Sequence, residues 1–300
     1  MLVGWASPSC VTLAPAADRG RSDTMATALR PLSLGELLDR TFFLFRNNFV
    51  LFTAIVALPS LPILAFNLGG LGAFRPSLSP TPLQLLVSVL ATLGMAMVLL
   101  VPALIAAAWS QAATIVAVSR IHLDQPVSIA GAFGAIKSRI LPIAIMIVVV
   151  GFLTGLGFIF FIVPGILLML RWALVIPVAV LESRGLGDAM TRSADLTAGD
   201  RGRILAIYVL YFILTLAVGG LMRVMISMGL FMVGISQTAL VQPLWVQELS
   251  AVGAYFVGAM VGPVLTIALS LVYYDERVRK EAFDVEHLLA QLPPAEPVVS

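Results

Sequence analysis

The stretch between Arg139 and Glu182 constrains the fold of this chain more strongly than any other. The residues between these two charges are almost all apolar, and Arg171 is the one charged side chain among them. A membrane-spanning helix needs about 20 apolar residues, so the stretch has room for two spans joined by a tight reversal. Residues 163–165 (Val-Pro-Gly) lie near its midpoint, where proline cannot continue a helix and glycine accepts turn dihedrals. The pattern predicts a transmembrane helical hairpin.

Composition extends this prediction to the whole chain. Of the 300 residues, 60% are hydrophobic and 11% are charged, too few to cover the surface of a soluble domain. The apolar runs do not alternate with polar residues at period two, which argues against an outer-membrane barrel. We therefore expect an all-α, polytopic membrane protein surrounded by the lipid bilayer. The net charge of +2 gives no reason to expect a nucleic-acid partner.

Residues that carry metal or catalytic chemistry are scarce. Cys10 is the one cysteine, and His122 and His287 are the two histidines, so the sequence predicts no intrachain disulfide, no metal site and no cofactor. The HExxH, Walker A and GxSxG patterns are absent, and no pair of intramembrane aspartates offers a proteolytic site. We expect a protein without enzymatic activity.

Apolar runs between polar segments predict six membrane spans. We place them at residues 49–68, 83–119, the two limbs of the 139–182 hairpin, 204–222 and 249–274. The second run is too long for one ordinary span, and Pro102 indicates a kinked, tilted helix because one residue cannot form the loop between two helices. We expect residues 223–248 to form an outer loop with a short interfacial helix.

These spans define a six-helix transmembrane domain over residues 30–274, followed by a cytoplasmic amphipathic helix and tail over residues 275–300. Residues 1–29 are typical of a disordered tail and lack the basic start of a signal peptide. Organised sequence begins just after Met25, so we expect translation to start there. Mass spectrometry of the natural N-terminus would test this.

Residues 30–48 predict an interfacial amphipathic helix before the first span. Ser33 and Glu36 have the spacing of a capping box, in which each side chain bonds a free amide at the helix start. The side chains expected on its buried face are Leu34, Leu38, Thr41, Phe42, Phe45 and Phe49. The alternative is that this segment simply begins the first span.

Positive charges predict the orientation. With the N-terminus inside, 15 of the 18 lysines and arginines fall in the N-terminal segment, the 120–139 and 183–203 loops and the C-terminal tail. This distribution satisfies the positive-inside rule and predicts a multi-pass protein of the cell membrane with both termini cytoplasmic. An amphipathic stretch also precedes each pair of spans, which suggests three repeated units of interfacial helix and hairpin.

Three stretches together resemble one bacterial family. They are residues 31–42 (PLSLGELLDRTF), the Pro-Gly-Ile-Leu, Arg-Trp and Val-Leu-Glu elements of residues 164–182, and residues 273–284 (YYDERVRKEAFD). The combination is similar to the membrane domain named for glycerophosphoryl diester phosphodiesterases and to its stand-alone relatives, over residues 30–292, with Ala282 where the family would have glycine. The resemblance implies the membrane domain without the enzyme, because a TIM barrel needs about 250 residues and 26 residues follow Tyr274. It leaves room for an enzyme or partner supplied elsewhere.

Arg171 is the strongest candidate for a binding residue. A guanidinium is costly in hydrocarbon, so it should face the bundle interior, pair with an acid or reach the outer interface. Glu248, near the outer start of the last span, is the nearest acid by expected depth. The functional hypothesis is contact with an anionic lipid headgroup or substrate, and the structural alternative is an ion pair or a snorkelled anchor.

Two glycine pairs have GxxxG spacing, which permits close approach of helices. They are Gly151 with Gly155 and Gly258 with Gly262. We expect them to pack helices within the chain, because a protein with six spans has many internal interfaces, and dimerisation is the alternative.

These observations support two classes of function. The first is a non-catalytic membrane scaffold or lipid-interacting module, whose partner would be a protein or an anionic lipid. The second is a transporter or exporter of a small amphiphilic or lipid-like molecule. A cavity that reaches the midplane and is lined by Arg171, Gln111 or Tyr255 would favour transport, whereas a close-packed bundle would favour the scaffold.

Overall fold

The computed structural model describes residues 32–71, 81–234 and 243–291, and all regular structure in these ranges is helical. In chain order the α-helices are α1 (Leu34–Asn47), α2 (Phe49–Leu71), α3 (Pro82–His122), α4 (Ile129–Ile136), α5 (Ile140–Phe160), α6 (Ile162–Arg171), α7 (Val175–Leu181), α8 (Leu186–Thr197), α9 (Arg201–Met232) and α10 (Leu244–Gln291). A 3₁₀ turn, Lys137–Arg139, joins α4 to α5. The predicted tail, residues 1–29, lies outside the described ranges.

Six segments of the described chain are long and apolar enough to cross a bilayer. They are Phe49–Gly69, Pro82–His122, Ile129–Phe160, Ile162–Leu181, Arg201–Met232 and Leu244–Glu281. Each contains one predicted span, so the prediction of an all-α, polytopic membrane protein is confirmed. Short helices α1, α4 and α8 lie where amphipathic stretches were expected, one before each pair of spans.

The predicted capping box begins α1. The Ser33 hydroxyl accepts from the Glu36 amide at 3.3 Å, and the Glu36 carboxylate accepts from the Ser33 amide at 2.8 Å. Within the protein, the buried side chains of α1 are Leu37 and Thr41, the second of which was expected on the buried face. They are covered because α1 packs against α10. Phe42 is 49% exposed to the surroundings of the protein.

The long helices α3, α9 and α10 can be compared with the predicted spans and their boundaries. α3 runs through Pro102 as one helix, as predicted. α9 continues past the expected end at Met222 to Met232, so part of the predicted outer loop is helical. α10 runs from Leu244 to Gln291 without a break at Tyr274. The helix expected over residues 275–292 is therefore the continuation of the last span.

The central hairpin forms, but its turn precedes the Pro-Gly pair. Phe161 has extended backbone (φ −159°, ψ 147°) between α5 and α6, and Pro164 falls in the first turn of α6, where its missing N–H costs no helical hydrogen bond. The two limbs approach closely at glycines. A Cβ atom on Gly157 would lie 3.0 Å from the Cα atom of Gly165, and one on Gly165 would lie 2.5 Å from the ring of Phe158.

The second limb of the hairpin is interrupted, because α6 ends at Arg171 and α7 begins at Val175. α8 supplies partners for the backbone at this break. The Ser193 hydroxyl accepts from the Leu174 amide at 3.2 Å and donates to the Arg171 carbonyl at 3.0 Å. The Thr197 hydroxyl donates to the same carbonyl at 3.2 Å. Such partners are needed because an unpaired backbone group is costly inside a membrane.

The bundle is assembled around α10. This helix contacts α1, α2, α3, α7, α8 and α9, and α5 contacts α3, α6 and α7. Phe52 of α2, Leu174, Leu196 of α8 and Ile267 of α10 are fully buried at these contacts. The spanning helices thus share one core along α10.

We predict that Gly157→Ala destabilises the hairpin. The added methyl group would meet Leu168 Cδ1 at 2.9 Å as well as the backbone of Gly165, and such overpacking costs about 1–3 kcal/mol. The matched control is Gly155→Ala in the same helix, whose Cβ would meet nothing within 4 Å. Thermal unfolding in detergent should show a lower midpoint for Gly157→Ala and no loss for Gly155→Ala. Equal midpoints for the two variants would contradict the observed limb contact.

Candidate binding cavity

Helices α2, α3, α5, α7, α9 and α10 surround a cavity of about 620 Å³. Small-molecule sites in proteins typically occupy about 300–1,000 Å³. The space exists because many of the residues of α3 and α10 that line it are alanines and glycines, which leave room that larger side chains would fill. They are Ala103, Ala106, Ala107, Gly258, Ala259 and Gly262. The centre of the bundle is therefore not close-packed.

Proline residues lie in or beside the cavity wall on four helices. They are Pro59 in α2, Pro102 in α3, Pro177 in α7 and Pro263 in α10. Pro263 has no N–H, so the carbonyl of Ala259 receives no hydrogen bond from the helix. Ala259 is one of the lining residues. A residue of the cavity wall therefore has a carbonyl that lacks its usual helical donor.

Polar side chains donate hydrogen bonds to backbone carbonyls of α2 near its prolines. The Ser60 hydroxyl donates to the Val56 carbonyl at 2.8 Å and to the Ala57 carbonyl at 3.0 Å. The Tyr255 hydroxyl, from α10, donates to the Ala57 carbonyl at 3.0 Å. Both hydroxyl oxygens keep their acceptor capacity, and both residues line the cavity.

Five further polar side chains line the cavity and have no hydrogen-bond partner within the described chain. They are Ser110 and Gln111 of α3, Tyr208 and Tyr211 of α9 and Thr266 of α10. Polar groups inside a protein are nearly always hydrogen-bonded, since the unpaired state costs about 1–3 kcal/mol. These side chains therefore supply donors and acceptors for whatever molecule fills the cavity.

The lining contains no aspartate, glutamate, lysine, arginine or histidine among the residues that the structure describes. Gln111 and Tyr255, named from the sequence as possible lining residues, are both present, and Arg171 is not. The next residue, Trp172, lines the cavity at the α6–α7 break. The cavity therefore suits an uncharged polar group attached to an apolar body.

The structure does not bring Arg171 and Glu248 together. The Arg171 carbonyl contacts α8, whose Asp195 and Leu196 carbonyls accept from the Lys280 ammonium group of α10. Glu248 lies 32 residues before Lys280 on the same continuous helix, which corresponds to about 48 Å. Arg171 is exposed, and neither residue forms an ion pair within the described chain. The depth inferred from sequence placed Arg171 at the outer side, because it assumed an uninterrupted second limb.

Of the four glycines in the predicted pairs, Gly262 lies against another helix and the other three have open surroundings. A Cβ atom on Gly151, Gly155 or Gly258 would meet nothing within 4 Å. Gly151 and Gly258 line the cavity. Gly262 would place its Cβ atom 3.5 Å from Val56 Cγ1, an ordinary contact with α2. The close approaches are instead at Gly157, Gly165 and Gly253, the last packing against Ile226 and Met222 of α9. GxxxG spacing alone did not identify them.

A charged cluster lies at the C-terminal end of α10, in the motif that carried the family resemblance. The Tyr273 hydroxyl donates to Glu182 at 2.9 Å. Arg203 of α9 pairs with Asp275, which also accepts from Arg279 at 2.9 Å. Asp275 is almost completely buried and Glu276 is fully buried. These contacts join α10 to the residue after α7 and to the start of α9.

The same motif also holds α8. Lys280 donates to the carbonyls of Leu196 and Ala198 at 3.0 and 2.9 Å, at the end of that helix. Arg192 of α8 pairs with Glu281 at 2.6 Å and with Glu182 at 3.4 Å. We call the set of Glu182, Arg192, Arg203, Tyr273, Asp275, Lys280 and Glu281 the α10 cluster. Its members form contacts between helices.

Glu182 connects several members of the α10 cluster. Burial favours its neutral form, but the hydrogen bond from Tyr273 and the charges of Arg192 and Arg184 outweigh burial and lower the pKa of Glu182 below its ordinary value. Arg184 donates to the carboxylate at 2.6 Å. Glu182 is therefore held ionised as the link between α7, α8 and α10.

No protein-family model, curated protein or solved structure matches this chain. The resemblance to the phosphodiesterase-associated membrane domain therefore stays a prediction. Among the described residues, no group of three or more histidine, cysteine, aspartate or glutamate side chains could hold a metal ion.

Sequence reasoning missed most of the cavity wall. Ser110, Gln111 and Thr114 recur on one face of the uncharged run in α3, which is the signal that could have indicated a polar interior face. Tyr208, Tyr211 and Thr266 carry no comparable pattern. Their convergence depends on how α9 and α10 pack, which a single sequence does not specify.

We predict that Glu182→Gln reduces the acid sensitivity of the fold. Because the folded-state pKa lies below the unfolded value, ionised Glu182 stabilises the fold above that unfolded value, and this stability is lost as the pH falls through the folded pKa. Thermal unfolding in detergent, followed from neutral pH downward, should fall less steeply for Glu182→Gln than for the wild type. Glu248→Gln is the control and should keep the wild-type slope. An unchanged slope for Glu182→Gln would contradict the assigned contacts.

Proposed function

We propose that this chain is a non-catalytic membrane protein that takes up a small amphiphilic or lipid-like molecule in its central cavity and carries it across the membrane. The observation that supports this proposal is the cavity of about 620 Å³, whose wall combines apolar surface with polar side chains that have no partner in the described chain. Such a combination is typical of ligand sites between helices. A scaffold without a ligand would have no need of it.

The arrangement of prolines is consistent with transport. Alternating access requires helices that bend or rock around a central site, and transporters place discontinuous helices at that site. Here the interrupted second limb of the hairpin contributes Trp172 and Ala173 to the wall, and α10 lacks one backbone hydrogen bond at Pro263. Movement at these points would open the cavity towards one side or the other.

We further propose that the protein resides in a bacterial cytoplasmic membrane with both termini inside. The contacts within the α10 cluster support one common side of the membrane for the 183–203 segment and the C-terminal end of α10. Anionic lipid headgroups and the positive-inside rule favour the cytoplasmic side for such a set of arginines and lysines.

Cysteine labelling tests the proposed orientation. In a Cys10→Ser background, Thr191→Cys of α8 should react with a membrane-impermeant thiol reagent only after cells are permeabilised, whereas Met232→Cys at the far end of α9 should react in intact cells. Both side chains are exposed in the structure. Labelling of Thr191→Cys in intact cells would contradict the orientation.

Filling the cavity tests the proposed function. Gly258→Leu places a side chain into the open space of the cavity, whereas Gly220→Leu of α9 makes the same change at an exposed helical position outside the wall, also with nothing within 4 Å of its Cβ atom. We expect wild type and Gly220→Leu, purified in mild detergent, to retain a bound amphiphile in native mass spectra, and Gly258→Leu to lose it. Equal retention by both variants, or none in the wild type, would contradict the proposal.

A further inference from the structure

We propose that the cavity selects lipids whose head group is uncharged and carries hydroxyl groups, as in a monoacylglycerol. The inference rests on the proposed function and specifies its ligand. It follows from two properties of the described wall: it has no charged side chain, and it has several hydrogen-bonding groups. The first property disfavours charged head groups.

The first step concerns charge. A phosphate or carboxylate brought into the cavity would meet no lysine, arginine or histidine among the described lining residues. An unpaired charge in a low-dielectric interior is strongly unfavourable. Arg171, the cation that the sequence suggested for an anionic headgroup, is exposed beside α8 and does not line the wall. The same reasoning disfavours a cationic head group, since the described wall contains no carboxylate.

The second step concerns hydrogen bonding. The amide of Gln111 and the hydroxyls of Ser110, Tyr208 and Tyr211 can each donate and accept, and none has a partner in the described chain. A carbonyl can only accept, and that of the lining residue Ala259 lacks its usual helical donor because residue 263 is proline. A ligand that matches this wall must donate as well as accept. Hydroxyl groups do both, whereas an ester or ketone alone would leave the Ala259 carbonyl without a donor.

The third step concerns position. Tyr208 and Tyr211 approach from α9, Ser110 and Gln111 from α3, and Thr266 from α10. Apolar side chains of α5 and α7, such as Ile147 and Ile176, complete the wall. A single acyl chain can occupy the apolar part while a small hydroxylated head group meets the polar residues. The volume of the cavity suits one such chain.

Trp172 gives a direct test, because it lines the cavity and its fluorescence is quenched by nearby bromine atoms. The protein has four tryptophans, and Trp5→Phe, Trp109→Phe and Trp245→Phe leave Trp172 alone. Three probes share one dibrominated acyl chain and differ in head group: a monoacylglycerol, an anionic lysophosphatidylglycerol and a lysophosphatidylcholine. Each probe is titrated in detergent into the full-length single-tryptophan protein. The same titration is repeated with Gly258→Leu added, which blocks the cavity, and with Gly220→Leu added as its matched control. The difference between these titrations separates binding in the cavity from quenching by probe in the micelle.

We expect the monoacylglycerol to quench at a concentration about tenfold lower than either charged probe. Gln111→Leu or Tyr211→Phe should weaken its binding by roughly 2- to 10-fold, the effect of one hydrogen bond. Equal or tighter binding of lysophosphatidylglycerol or lysophosphatidylcholine would overturn the ligand class while leaving the proposed function standing. Quenching by no probe beyond the Gly258→Leu level would overturn both. If the single-tryptophan variant does not fold, competition among the same lipids in native mass spectra of the unmodified protein decides between these outcomes.

Discussion

The contacts that the end of α10 makes with α8, α9 and Glu182 hold this bundle in register. Tyr273 and Asp275 are buried at these contacts, and Lys280 satisfies carbonyls that α8 would otherwise leave unpaired. Removing one member of a buried, paired set leaves the others without compensation, which typically costs about 3–5 kcal/mol. The α10 cluster thus connects the end of α7, the helix α8 and the start of α9 to one helix.

The lipid surroundings impose a second constraint, since every backbone group must find a partner inside the protein. Side chains meet this demand wherever the helices are interrupted. Ser193 and Thr197 pair with the backbone at the α6–α7 break, and Ser60 with Tyr255 pair with the carbonyls near the prolines of α2. Five other polar side chains of the cavity wall form no hydrogen bond within the described chain, and the Ala259 carbonyl lacks its usual donor in the helix because residue 263 is proline. The proposed ligand would supply partners for these groups.

Charged side chains and uncharged polar side chains lie in different parts of the bundle. The α10 cluster concentrates acids and bases at one end of the bundle, whereas the cavity wall has hydroxyls and an amide but no ions in the described chain. The proposed uncharged ligand fits this separation. Charged residues are often used to find a binding site, but Arg171 and Glu248 do not line this cavity.

The sequence by itself determined the class of fold, because hydropathy and charge are properties of each segment and the bilayer acts on each segment separately. It determined the six spans, the capping box at Ser33 and the continuity of α3 through Pro102. Tertiary structure decided the exposed side of α1, the turn at Phe161, the break after Arg171 and the convergence of Gln111, Tyr208 and Tyr255 on one cavity. These features depend on which helices touch, and contact between distant segments is not encoded in the periodicity of either segment alone.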